Sequence, residues 1–277
     1  MIKKIIACAD IHFRNLEGLQ ELQTVLIKFL DQCKDIIAKE ESPDDVRVVV
    51  AGDLVESKIN ISNECTLALG WFLRQLDELG CKVYIIGGNH DTILSNLQRV
   101  DSITPLFQIG EYKNVIYLDS ELEYQSGCYV DDNVVWCLYS MFSDFDKPQI
   151  SEYKIKYPDK KFVGLIHCDI NGAVNYKGFV TSTGLDPQVF TGLDFVIAGH
   201  IHKFQEIKKN KVKIVYCSSI KQKDFSETLS QHGFVLWNLE DDSYQFIEVP
   251  NEDGGFYKFL VTDIKDIEKN KEVLLNP

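Results

Sequence analysis

The stretch Phe195 to His202 constrains this chain most: an apolar run, Phe195-Val196-Ile197-Ala198, breaks off into Gly199-His200-Ile201-His202. The run reads as a buried strand, and a pair of imidazoles follows at its end. Residues i and i+2 of extended chain point the same way, so both rings are expected to face one point beyond the strand. By itself the pair fits a bland turn histidine equally well. The same punctuation recurs four times. Ile2 to Cys8 runs into Ala9-Asp10-Ile11-His12, and Val46 to Ala51 into Gly52-Asp53-Leu54-Val55-Glu56. Cys81 to Ile86 runs into Gly87-Gly88-Asn89-His90-Asp91, and Phe162 to Ile166 into His167-Cys168-Asp169.

Between the first three runs lie two segments of helical period. Leu19, Leu22, Leu26, Phe29, Cys33 and Ile36 fall on one face of a helix predicted from Glu17 to Lys39, which Ser42-Pro43-Asp44 breaks. Ser62 is a candidate cap for a second, with Cys65, Ala68, Phe72, Leu76 and Leu79 on its apolar face and Gly80 at its end. Strand, helix, strand, helix, strand is the pattern of a parallel sheet in an α/β protein. Ligands of such sheets gather at the carboxyl ends of the strands, where the polar clusters sit. Further on, Asn114 to Leu118 and Val134 to Tyr139 read as strands, the second after a turn-rich segment. Phe145 to Tyr157 reads as loop with a short helix, and 172–185 as a glycine-bearing loop over the site. Val212 to Cys217, Phe234 to Leu239 and Tyr244 to Val249 suggest antiparallel strands of a second sheet. A strand at 256–261 and a terminal helix at 264–275 are expected last.

A formal charge of −13 argues against a broad basic face that coats DNA. It leaves room for a nuclease, because divalent cations offset charge locally. No apolar run approaches the ~20 residues of a membrane span, so no membrane role is expected. No signal peptide is expected either, since Asp10 and His12 interrupt the first apolar run. The eight cysteines show no C-x-x-C pair, which fits reduced thiols in the cytoplasm, the host's if the chain is phage-encoded.

Asp10, His12, Asp53, Asn89, His167, His200 and His202 all follow predicted strands, and five of the six histidines lie in these clusters. Two cations ~3.5–4 Å apart require a bridging carboxylate and several N and O ligands, and together clamp the oxygens of a displacement at phosphorus. Asp53 is the natural bridge, because the preceding glycine permits close approach. A ligand set of His, Asp and Asn without thiolate suits Mn or Fe(II), with Mg or Zn as further options.

The ordered set D-x-H, G-D, G-N-H-D, H and G-H-x-H over residues 10–202 resembles the calcineurin-like metallophosphoesterase superfamily. The resemblance implies a four-layer α/β/β/α sandwich, two mixed sheets flanked by helices. It implies one ion held by Asp10, His12, Asp53 and His202 and another held by Asp53, Asn89, His167 and His200. His90 is then the unliganded histidine beside the leaving oxygen, with a hydroxide activated by the ion pair as the nucleophile. Within the superfamily the chain looks most like SbcD-type recombination nucleases such as the phage endonuclease subunit. That likeness rests on Gly52-Asp53-Leu54-Val55 with Lys58-Ile59-Asn60, on Asn171-Gly172 with Tyr176-Lys177-Gly178, on Tyr216-Cys217-Ser218-Ser219, and on His232-Gly233-Phe234. It implies a Mn-dependent DNA phosphodiesterase of break repair or recombination, endo- or exonucleolytic. The partners it implies are DNA and an SbcC-type coiled-coil ATPase; a homodimer is a further option that the sequence leaves open. The alternative is a phosphoesterase on a smaller substrate such as a cyclic nucleotide, nucleotide or phosphoprotein. An intact seven-residue set argues against a non-catalytic scaffold.

Two departures stand out. Glu56 occupies a position where cellular relatives often carry His; its carboxylate is expected to hydrogen-bond His90 and keep it protonated. Only 27 residues follow Pro250, so 1–250 is read as the nuclease domain and 251–277 as a short extension, the remnant of a capping region. Tyr176 and Lys177 are the expected substrate contacts. His232 is read as a structural turn residue, and Lys208, Lys209, Lys211 and Lys213 as a solvated hairpin turn.

Overall fold

The structure is a computed structural model, and it describes all residues except 16, 17, 97, 209, 210, 252–254 and 257–277. The first half contains β1 (Lys4–Cys8), α1 (Leu19–Ile37), β2 (Val46–Ala51), α2 (Asn63–Asp77), β3 (Lys82–Ile86), α3 (Thr104–Ile109), β4 (Val115–Tyr117) and α4 (Leu118–Glu121). The second contains β5 (Gly127–Asp131), β6 (Val134–Tyr139), α5 (Ile150–Lys156), β7 (Lys161–His167), β8 (Phe195–Gly199), β9 (Gln205–Ile207), β10 (Lys213–Tyr216), β11 (Gly233–Asn238) and β12 (Ser243–Glu248).

These strands form two six-stranded mixed sheets, ordered β12-β11-β1-β2-β3-β4 and β5-β6-β7-β8-β10-β9. In each, four successive neighbours run parallel: β1 to β4 in one, with β4 at the edge, and β6, β7, β8 and β10 in the other. Strands covered on both faces read as unbroken apolar runs, and every residue of β2 is buried. The period of two sorts the faces of β1. Ile6 and Cys8 pack with Leu26 and Phe29 of α1 and Phe72 of α2, while Ile5 and Ala7 meet Trp136, Leu165 and Ile197 of the other sheet. Ser62 caps α2 as expected, its Oγ accepting the Cys65 N–H at 3.2 Å. The outer face of the second sheet has thinner cover. Ile150 and Tyr153 of α5, Phe190 of a 3-10 turn (Pro187–Phe190), and Ile170 and Ala173 pack there.

A buried ion pair staples the sheets. Arg47 of β2 gives two hydrogen bonds to Asp131 at the end of β5, at 2.6 and 3.2 Å, and Lys82 of β3 reaches the same carboxylate at 2.8 Å.

The structure corrects several expectations. The turn-rich segment before β6 contains β5, which pairs antiparallel with β6 as a hairpin. Its partly exposed edge pattern gives no clean alternation. Of the three strands expected to run antiparallel in the second sheet, only β10 lies there, antiparallel to β9 but parallel to β8. β11 and β12 instead extend the first sheet, β11 antiparallel to β1. Short α3, α4 and β9 carry too few residues to show a period. The strand expected at 256–261 and the helix at 264–275 lie outside the described residues apart from Phe256.

Candidate metal centre

The strand ends β1, β2, β3, β7 and β8 converge, each delivering its polar cluster. They leave the sheets abruptly. Asp10, His12, Asp53 and His200 have φ of 54°, 53°, 53° and 93°. Positive φ is uncommon outside glycine, and such strain concentrates at functional sites. The extended i, i+2 geometry expected of Asp10/His12 and His200/His202 is therefore absent. The two imidazoles of the G-H-x-H pair face different groups.

His202 Nε2 lies 3.0 Å from His12 Nε2 and 3.6 Å from Asp10 Oδ1. His200 Nδ1 lies 2.8 Å from Asn89 Oδ1, and His167 Nε2 lies 3.1 Å from the same oxygen. Asp53 stands between the groups: one oxygen, Oδ2, is 3.2 Å from His167 Nε2 and 3.7 Å from His12 Nε2. Its other oxygen accepts the His90 N–H at 2.8 Å. Asp10 accepts the His200 N–H at 3.1 Å. Three groups of possible ligand atoms occur among the described residues: Asp10 with His12 and His202, Asp53 with His167 and His200, and His12 with Glu56 and His90; the first two contain the expected ligands.

The outward nitrogens decide whether this geometry suits cations. A metal-bound imidazole almost always has its second ring nitrogen on a carboxylate or carbonyl, which fixes tautomer and ring direction. His167 Nδ1 donates to the Ala51 carbonyl at 2.7 Å. His200 Nε2 faces Asp169 at 3.3 Å, His202 Nδ1 faces Glu227 at 2.6 Å, and His12 Nδ1 lies 3.0 Å from Glu56 Oε2. His167, His200 and His202 thus hydrogen-bond oxygen on the outside and His12 faces a carboxylate there, so the inner nitrogens are the ones turned to where a cation would sit. Ligand nitrogens ~2.1 Å from one ion sit roughly 3 Å apart, which matches the inner distances. The donor set fits two divalent ions.

Electrostatics agree. Burial alone pushes the Asp53 carboxyl up, but His167 and His12 hold it well below the carboxylate range. Burial opposes protonation of His167, yet the neighbouring Asp53 charge raises it to about 10. Burial holds His12 below its usual value. Asp91, wholly buried, accepts backbone N–H groups of Val55, Leu54 and Gly88 at 3.0, 3.3 and 2.8 Å. It ties the Asp53 and Asn89 loops together, while burial and the nearby Asp53 charge push its carboxyl up to about 8. Glycine before Asp53 is required sterically: a Cβ on Gly52 would stand 2.3 Å from His167 Nδ1.

Glu56 departs from expectation. Its backbone carbonyl, not its carboxylate, meets His90, accepting from Nδ1 at 2.7 Å. The carboxylate is directed to His12 and to Lys223 Nζ at 3.1 Å. The contact with His12 is close but poorly aligned for a hydrogen bond, so its effect is electrostatic. Burial raises the Glu56 carboxyl, but His12 and Lys223 outweigh it and bring it to about 2. Tyr176 is half-buried with its hydroxyl donating to the His202 carbonyl at 3.3 Å, whereas Lys177 is exposed at the mouth. His232 is structural, as expected: Nε2 donates to the Thr228 carbonyl and Nδ1 accepts from Ser219 Oγ. Lys213 is tied to the Asp242 carbonyl, and Lys209 lies outside the described residues.

Three residues escaped the sequence reading in their roles here. Glu227 and Lys223 sit in a polar loop 20 or more positions beyond His202, with no spacing to mark them. Asp91 belongs to a noted motif, but only the fold shows that its side chain turns inward.

Two mixed sheets under helices, with paired clusters of His and Asp and a shared carboxylate, define a dinuclear metallophosphoesterase. The chain belongs to the calcineurin-like phosphoesterase family, whose model matches residues 3–204. It is 32% identical over 274 residues to "Uncharacterized protein R555" of Acanthamoeba polyphaga mimivirus, covering 96% of this chain and 19% of that protein. It is 25% identical over 198 residues to Exonuclease subunit 1 of Enterobacteria phage T4, covering 71% of this chain and 54% of that protein. The chain thus spans well under two thirds of either relative. A dimetal phosphatase from Danio rerio shares the fold, with a TM-score of 0.54 at 12% identity over 86% of this chain and 93% of that one. Among the described residues, no helix is long and apolar enough to cross a membrane.

Proposed function

We propose that this chain hydrolyses phosphodiester bonds of DNA, with Mn as the working metal. The observation that carries the reading is a pair of lysines, Lys177 and Lys203, at the mouth of the metal centre in an otherwise acidic protein. Lys177 and Lys203 line a groove of about 260 Å³ that opens onto His200 and His202. Lys223 stands beside Glu56, and Arg14, two residues after His12, donates to the Lys223 carbonyl at 2.6 Å. Phe225, exposed, precedes groove-lining Ser226. Phosphate charge and base faces both find partners in such a mouth. The similarity to the phage exonuclease subunit supports the same reading.

Bound at the two clusters, divalent ions would supply charge for the phosphoryl oxygens and a nucleophile near neutral pH. The chain's residues do the rest. Glu56's carbonyl holds His90 Nδ1–H, which leaves Nε2 to serve the departing sugar oxygen. Lys58 Nζ donates to the Asn89 carbonyl at 3.0 Å and so fixes the backbone between Asn89 and His90.

The test uses the purified protein with Mn or Mg on single-stranded DNA, duplex DNA and a generic bis-ester. Cleavage of DNA, lost in Asp53→Asn, supports the proposal. Turnover of the small ester alone transfers the chain to small phosphoesters, the alternative reading. An SbcC-type ATPase and a homodimer belong to the same proposal and are tested by co-purification and by light scattering. Eight free thiols, seven of them buried, support a reducing compartment such as the cytoplasm.

A further inference from the structure

We propose that Glu227 is a positioning residue of the metal centre, through which the 221–231 loop controls occupancy of the Asp10–His12–His202 site. The proposal rests on the metal centre and is independent of whether DNA is the substrate. Each outer partner of an imidazole differs in strength. Asp169 approaches His200 at 3.3 Å with its side chain 48% exposed. Glu227 approaches His202 Nδ1 at 2.6 Å with its side chain 6% exposed. A short, water-excluded carboxylate contact fixes the ring and raises its basicity as a ligand. Rotating His202 away would cost the site one of its two imidazoles.

Glu227 is itself held from several sides. Its second oxygen accepts the Lys223 N–H at 2.8 Å. Its carbonyl accepts Gln222 Nε2 at 3.0 Å, and Gln222 in turn pairs with the backbone of Phe256. His232, anchored to Ser219, holds the Thr228 carbonyl one residue on. On the other side, Ser218 Oγ and the Tyr176 hydroxyl both donate to the His202 carbonyl. The loop therefore closes on His202 as a clasp. A cation that recruits His202 Nε2 favours the clasped arrangement, and loss of the clasp weakens that cation's site and leaves the Asp53–His167–His200 site largely intact.

The intact chain and its Glu227→Gln, Glu227→Asp, Glu227→Ala and Asp169→Asn variants are titrated with Mn by calorimetry. Amide exchange over 221–232 is followed with and without Mn. The wild type should take two ions and gain protection in the loop. Glu227→Ala should weaken one of the two ions by ~10–100-fold, leave the other within a few-fold, and abolish the gain in protection. Glu227→Gln and Glu227→Asp, which keep an acceptor, should fall between and cover the case that the alanine variant does not fold. Asp169→Asn should weaken binding less than Glu227→Ala. The proposal is overturned if every Glu227 variant binds both ions as the wild type does. Equal weakening of both ions, with a matching fall in the metal-free melting temperature, also overturns it, since a purely structural role does that. A wild type that binds no ion overturns the metal centre itself and the proposal with it.

Discussion

Asp53 and His90 sit side by side, joined by one hydrogen bond, yet their chemistry separates. The Asp53 carboxylate is the only group within reach of both imidazole clusters among the described residues. Asp53→Asn should therefore lose at least one ion and reduce hydrolysis by about 10³-fold or more, while His90→Ala keeps both ions and loses roughly 10²–10⁴-fold. Metal analysis alongside turnover of a bis-ester checks the pair; equal metal loss in both variants would show the roles misplaced. Gly52 makes a second case. With φ at 87° and His167 where a Cβ would stand, Gly52→Ala should push His167 aside and weaken the ion it faces. A mutant crystal structure or Mn titration reports this directly. The placement of these residues at strand ends was legible in the sequence, because each motif is contiguous with its apolar run. The destination of Glu56 was not. Side chain and carbonyl of one residue leave in different directions, and only the packed loop selects which of them meets His90.

At the scale of elements, the two-faced burial of β2 and the amphipathic faces of α1 and α2 follow from periodicity alone. β5 does not, because an edge strand pairs on one side and needs no clean alternation. Its placement nonetheless carries stability, since Asp131 at its end holds Arg47 across the sheets. Burial pushes the Asp131 carboxyl up, but Arg47 and Lys82 overcome this and bring it from 3.8 to about 2. A folded value below the unfolded one means the stabilisation is present above pH 3.8 and is lost as pH falls toward 2. The shift corresponds to about 2 kcal/mol at neutral pH. Asp131→Asn leaves Arg47 buried without its counter-ion and should cost ~3–5 kcal/mol at pH 7. Urea unfolding at pH 7 and at pH 3 checks both statements: the gap between wild type and variant should narrow in acid, and a gap that widens refutes the assignment.

For the whole molecule, charge is distributed against the average. A chain of net charge −13 presents Lys177 and Lys203 at one mouth, while Lys223 is paired with Glu56. If DNA binds there, few phosphates are contacted. The log–log salt dependence of affinity should then have a slope of about −1 to −2, not the steep slope of a broad basic face. Fluorescence anisotropy at several salt concentrations measures it, and affinity indifferent to salt would remove the mouth as the binding surface. The amino-acid order by itself determined the parallel strands, the two long helices and the side chains that gather at the strand ends. Those depend on period and punctuation, which are local. Tertiary structure alone decided which sheet receives β11 and β12, that the Glu56 carboxylate turns to His12, and that Glu227 closes on His202. Such pairings join residues far apart in the chain, and they are set by how the two sheets pack, which no local pattern encodes.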